Sequence, residues 1–235
     1  MWKSIIGDVG LLKKIKLVSL ILLCLFLYSH IAYTQEKSLD ALIQETQKNS
    51  QKPDQVTLLW WIPTEFWKLS MAADATVTNE QIDEIIKLTG SYTLFIVVDA
   101  RMGSFGGLTY KTEQNIRDSI AIKDMKGRIY KPLSKNSIDP DTNNFLKMIK
   151  PILEEMLGSM GQNMHFVLFP SKSDHGEPII ESKNKGKFSV LLGNEEFTWK
   201  LPLDSLISVK TCPRCSEICK GSWEYCAWCG TKLNK

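Results

Sequence analysis

Between Cys24 and Cys212 the chain has no cysteine at all. A secreted disulfide scaffold spreads its cysteines through the fold, so that class is excluded for the middle of the molecule. The sequence has no G-x-S-x-G elbow and no G-x-G-x-x-G or G-x-x-x-x-G-K-[ST] loop, which removes the recognisable hydrolase and phosphate-cradle signatures. It has no internal repeat and no low-complexity tract. An excess of one charge is missing too. The formal net charge of +3 comes from Lys3, Lys13, Lys14 and Lys16 against Asp8, and the residues after position 34 carry 25 basic and 25 acidic side chains. A nucleic-acid binder shows a basic stripe or a high domain pI, and this body shows neither, so no nucleic-acid partner is expected.

What is present begins with a leader. Lysines up to Lys16 precede an apolar run, Leu17 to Ala32 (LVSLILLCLFLYSHIA), and charge returns at Glu36. The run has a signal-peptide length and falls short of the ~20 residues of a comfortable membrane span. Ala32-Tyr33-Thr34 offers a cleavage site that leaves Gln35 first. An uncleaved N-terminal anchor is the alternative, and a lipid on Cys24 is disfavoured because Ile21-Leu22-Leu23 lacks the small residue before the cysteine. Lysine placement puts everything after residue 35 outside the cytoplasm. The expected organisation is residues 1–34 as signal peptide or membrane anchor, 35–52 as polar spacer or solvated helix, 53–205 as a globular domain and 206–235 as a cysteine module.

Roughly 150 residues of middle suffice for one ordinary core. Val56 to Ile62 (VTLLWWI) reads as a buried strand ended by Pro63. Its Trp60 and Trp61, with Trp67, suggest core packing before sugar binding. Thr78-Asn79-Glu80-Gln81 has the form of a capping box, followed by Ile82, Ile85 and Ile86 at helical spacing up to Gly90. Tyr92 to Val98 (YTLFIVV) predicts a central strand. Gly103 to Gly107 reads as a hairpin connection. If the middle holds a ligand, Asp99 and Arg101 are the first place to look.

Ile120–Lys123 and Arg128–Tyr130 read as a hairpin around a four-residue loop. Asp139-Pro140-Asp141 starts a helix carrying Phe145, Leu146, Ile149, Ile152, Leu153, Met156 and Leu157 on one stripe. Pro151 predicts a kink or two abutting helices. Met148, Met156, Met160 and Met164 read as gap-filling core. Met164 to Phe169 is a strand in which His165 is a packed or partly exposed residue rather than a ligand. Phe188–Leu192 and Phe197–Leu201 form a second hairpin, with Phe197, Trp199 and Leu201 on its dry face. Hairpins point to antiparallel pairing. The expected fold class is α+β, a mainly antiparallel sheet packed by one or two helices including the one at 141–157. An immunoglobulin-like sandwich with helical insertions is the alternative.

The strongest chemical signal is in the last two dozen residues. Cys212-Pro213-Arg214-Cys215 and Cys226-Ala227-Trp228-Cys229 stand ten residues apart. Each C-x-x-C turn brings two sulfurs to one point, and two turns supply a tetrahedron with metal–sulfur distances of ~2.3 Å and no open position, hence a structural site. A peptide this short buries little, so the metal supplies folding energy on the order of 10 kcal/mol or more. Trp223, Tyr225 and Trp228 are expected to cover the site. Cys219, a fifth thiol, is left as a bystander, a substitute for Cys215 or a partner for another chain. With four thiolates and Zn²⁺ the tail nets about +1, too little to track a phosphate backbone.

This tail resembles zinc-ribbon modules of the double zinc-ribbon type. Cys226 to Gly230 matches the knuckle pattern fully, and Cys212 to Cys215 is followed by Ser216 where glycine is commoner. The resemblance implies that Cys212, Cys215, Cys226 and Cys229 ligate one Zn²⁺.

No catalytic constellation stands out, so the leading expectation is a non-catalytic binding protein of the cell envelope. Its partner is an unidentified envelope protein, and it touches membrane only through residues 1–34. A thiol redox protein using Cys212/Cys215 or Cys226/Cys229 is a second reading, although such pairs normally open a helix after a strand. An envelope hydrolase using Asp174, His175 and a serine, or Asp99, is a third.

Overall fold

A computed structural model describes residues 39–234 apart from Ala73. The leader, and with it the cleavage, anchor and lipid readings, lies outside these residues. Among the described residues no helix is long and apolar enough to cross a membrane.

The chain is α+β, built on antiparallel pairing throughout its two main sheets. Helix α1 (39–46) runs into β1 (Gln47–Asn49), which pairs with β2 (Gln55–Ile62). Helices α2 (Thr64–Met71) and α3 (Asn79–Gly90) lead to β3 (Tyr92–Met102), the long central strand. The capping box forms as expected: Gln81 N–H donates to Thr78 Oγ1, and Thr78 N–H donates to Gln81 Oε1 at 2.8 Å. On its far side β3 pairs with β7 (His165–Pro170) along its first half and with β4 (Leu108–Tyr110) along its second. The Gly103–Gly107 segment is the β3–β4 turn. It is closed by Gly103 N–H to Gly107 O at 2.8 Å, with Gly106 in the left-handed region.

A second sheet holds β5 (Ile120–Lys123), β6 (Ile129–Tyr130), β8 (Gly186–Leu192) and β9 (Glu195–Leu201), in the order β6-β5-β8-β9. Helix α4 (Glu113–Ser119) feeds it, capped by Thr112, whose hydroxyl oxygen accepts from Asn115 N–H. Side chains alternate across β2 and β3. On one face Trp61 and Phe95 meet Phe188 and Trp199 of the second sheet, at centroid distances of 5.0 and 5.9 Å. On the other, Trp60 meets Phe66, and an edge-to-face chain continues through Trp67 to Phe145 of α5 (Pro140–Met156). Helices, first sheet and second sheet therefore form three layers. The sandwich alternative shares the two facing sheets. The helical layer over the first sheet's outer face places the chain in the α+β class instead.

Several local readings change. The polar stretch read as solvated helix or spacer buries Leu42 and Thr46. Thr46 explains this: its hydroxyl accepts from Trp60 Nε1 and its carbonyl from Trp199 Nε1, so it satisfies two buried indoles at once. Helix α5 is one continuous element through Pro151, capped by the Asp139 carboxylate, rather than two abutting helices. Phe145, Leu146, Ile149 and Leu153 are buried on it, whereas Ile152, Met148 and Met156 are exposed. Of the four methionines expected as core filler, only Met164 is fully buried. The dry face of β9 is as expected, with Phe197 and Trp199 buried and Thr198 and Lys200 exposed.

Candidate metal centre

The tail repeats one backbone motif twice. In the first knuckle Cys212 N–H donates to Glu217 O (2.9 Å) and Ser216 N–H donates to Cys212 O (2.9 Å). In the second, Cys226 N–H donates to Thr231 O (2.8 Å) and Gly230 N–H to Cys226 O (2.9 Å). Each loop must turn through the left-handed region after its second cysteine, and both do: Ser216 has φ +59° and Gly230 φ +70°. Glycine takes that conformation without steric cost and serine does not. This gives the departure at Ser216 a physical meaning. The short strands β10 (Lys210–Thr211) and β11 (Ile218–Cys219) close the first knuckle. A bridge between Tyr225 and Lys232 closes the second.

These turns bring Cys212, Cys215, Cys226 and Cys229 together, their sulfurs all within 4.8 Å of one another. Ligands ~2.3 Å from a tetrahedral metal stand about 3.8 Å apart. Here Cys212 Sγ lies 3.5 Å from Cys229 Sγ, and Cys215 Sγ lies 3.7 Å from Cys226 Sγ. A disulfide requires ~2.05 Å, and all five tail cysteines are free thiols. The donor set therefore fits a metal ion, and its spacing is compatible with a zinc ribbon.

Hydrogen bonds and crowding split the acidity of Cys215, Cys226 and Cys229. Hydrogen bonds donated by the Thr231 hydroxyl and amide to the thiolate hold Cys229 down to about 6. The Cys229 amide holds Cys226 below the usual thiol range. At Cys215 the Glu217 amide favours the thiolate. Desolvation and the neighbouring sulfurs of Cys212, Cys229 and Cys226 outweigh it and push the thiol up to about 12. Four thiols in one place cannot all ionise without a cation among them; a divalent ion removes that conflict.

Cys219 is not part of the cluster. It is buried with Cys212, Cys226 and Leu233 in the small core of the tail, where burial raises its pKa. It is a packing residue. Of the three aromatics expected over the site, only Trp223 packs against this core; Tyr225 and Trp228 are exposed. Leu233 completes the small core, and the Thr231 hydroxyl lies 3.3 Å from Cys229 Sγ; neither residue belongs to a knuckle pattern. Thr231 follows the second knuckle at two residues' distance, the one signal that would have found it.

The tail is tied to the body. Asp204 accepts from Ser222 N–H (3.2 Å) and pairs with Lys220 (3.4 Å), and Lys185 pairs with Glu224. Upstream, the Glu45 carboxylate of α1 accepts from the amides of Asp204 and Ser205, both at 3.0 Å. Gly221 makes this packing possible, since a Cβ there would sit 2.4 Å from the Ser208 carbonyl oxygen.

The other candidates in the body do not assemble. Asp99 is buried, but Gln55 (3.0 Å), Thr57 (3.1 Å) and Lys111 (2.6 Å) occupy its carboxylate. It locks the far end of β3. Arg101 is exposed and has no carboxylate within ion-pair distance among the described residues. Asp174 and His175 lie exposed in the 171–179 loop. His165 is half-buried and its pKa is lowered, chiefly by burial. No family model, no curated protein and no solved structure matches this chain.

Proposed function

We propose that the chain is a non-catalytic binding protein of the cell envelope, exported or anchored through residues 1–34, and that its tail is a zinc ribbon holding one structural Zn²⁺. The observation that carries the metal reading is the convergence of four sulfurs to within 4.8 Å. A tetrahedral all-sulfur site suits zinc or iron, and zinc is the usual single ion held by two such knuckles. Cys212, Cys215, Cys226 and Cys229 would hold it. The ion would supply folding energy, and four protein ligands leave no position for a reacting water. The placement outside the cytoplasm rests on the lysines before Leu17 and the apolar run after them. Bound zinc protects thiolates, which reconciles thiol ligands with an oxidising compartment.

The redox reading has less support. The thiols in mutual contact belong to different knuckles, and each C-x-x-C occupies a turn with no helix behind it. Native mass spectrometry of protein recovered from cells tests the proposal. It should find one zinc per chain, no disulfide among the tail cysteines, and either an intact leader or a new N-terminus at Gln35. A metal-free chain whose tail stays folded would overturn the metal reading.

A further inference from the structure

A cavity of about 520 Å³ in the body is not used by the metal centre. It lies beside the outer edge of β7, between α4, the turn at Lys135–Ser137 and the first half of α5. Its volume falls within the range of small-molecule sites. Its composition is two-sided. Leu146, Met164 and Leu168 give it an apolar floor, all three buried. Arg117, Lys135, Lys147 and Lys150 also line it, and Glu113 is the one carboxylate among the lining residues. The body after residue 34 is neutral, so four cations around one cavity are a local concentration rather than a reflection of overall composition.

The cations are only partly neutralised. Glu113 stands between two of them, 4.0 Å from Arg117 and 2.7 Å from Lys135. Lys150 pairs with Glu154 on the next turn of α5. Lys147 has no carboxylate within ion-pair distance among the described residues. Arg117 is held in place by the Leu133 carbonyl, so its guanidinium is oriented before any ligand arrives. The edge of β7 adds backbone groups. Leu168 O accepts from Leu133 N–H across that edge, and Phe166, two residues earlier, turns its own N–H and C=O the same way.

We infer that this cavity binds a small amphipathic anion, with an apolar body on the Leu146–Met164–Leu168 floor and a carboxylate or phosphate head among Arg117, Lys135 and Lys147. The Glu113 carboxylate occupies the head-group position between Arg117 and Lys135 and competes with the ligand for those cations. An apolar ligand without charge would leave the cations unused. A bare anion would lack the burial that gives affinity. The site is independent of the metal centre, and its test does not depend on what the tail holds.

The probe is 2-naphthoate, titrated calorimetrically into the full chain in a non-ionic detergent, with 2-naphthalenemethanol as the uncharged isostere and acetate as the head alone. Saturable binding of 2-naphthoate is expected, about tenfold or more tighter than either control. The double variant Lys135→Gln/Lys147→Gln should weaken it by about tenfold, with an unchanged thermal midpoint showing that the fold is intact. Glu113→Gln should tighten it several-fold, which loss of a merely structural ion pair would not do. Failure of 2-naphthoate to saturate up to about 10 mM, equal binding of the uncharged isostere, or weaker binding to Glu113→Gln would each overturn the inference. 1-Naphthyl phosphate in the same assay distinguishes a phosphate head from a carboxylate head by which binds more tightly.

Discussion

The body and the tail of this chain obtain their order from different sources. The body stacks two sheets and a helical layer around Phe95, Trp60, Phe188 and Trp199, all nearly inaccessible to water. The tail has a core of Cys212, Cys219, Cys226 and Leu233, too small to offset the entropy of ordering its backbone. Its regularity comes from two repeated turns that aim four sulfurs at one point. A large apolar core tolerates polar and irregular connections at its surface. A coordination site tolerates almost no change in its ligands, yet leaves neighbouring aromatics such as Trp228 free in solvent.

That contrast can be broken most severely at the metal proposed for the tail. Chelation should abolish hydrogen-exchange protection at Ser216 and Gly230, a loss on the order of 10 kcal/mol for the tail, while amides of β2, β3 and β8 stay protected. Simultaneous loss in both regions would show that the two are one cooperative unit. The converse substitution, Phe95→Ala, should cost about 3–5 kcal/mol in denaturant unfolding of the body and leave unchanged the amount of metal bound per folded chain.

A smaller effect belongs to the body's charged turn. Asp124 is buried, and burial alone would raise its pKa. Hydrogen bonds from Arg128, Tyr130 and Lys126 outweigh burial and hold it below its ordinary value. A depressed carboxylate contributes stability above its unfolded pKa and loses it as pH falls through the folded one. Asp124→Asn should therefore cost about 1–3 kcal/mol at pH 7, with the difference from wild type shrinking from about pH 4 downward. The smallest effect sharpens the tail. Ser216→Gly should stabilise the metal-loaded tail by about 1 kcal/mol, and Gly230→Ala should destabilise it by a similar amount, read as opposite shifts in chelator concentration at half-release.

Much of this was legible where the signal is local. The Thr78 capping box, the Asp139 cap, the alternation Phe197–Trp199 and the knuckle spacing are all short-range patterns, and each appears in the structure where its residues predicted it. What escaped depends on partners distant in the chain. Gln47-Lys48-Asn49 has no strand character of its own and becomes β1 because Leu58, Leu59 and Trp60 lie beside it. Met148, Ile152 and Met156 repeat at helical spacing, yet they turn to solvent because α5 rests on the sheet through Phe145, Ile149 and Leu153. The division of the strands into two sheets has no local signature, since β5 finds β8 some seventy residues later. The basic cavity is likewise assembled from α4, α5 and β7, and no window of sequence contains it.

The carboxylate of Glu45 reaches from α1 to the segment entering the cysteine tail, and Asp204 continues that link to Ser222 and Lys220. The cysteine tail is thus not carried on an arm. A molecule gripped by Tyr225 or Trp228 would be held at a set distance and bearing from the first described helix. Its effective concentration near that helix would then be governed by rigid geometry instead of by the statistics of a tether.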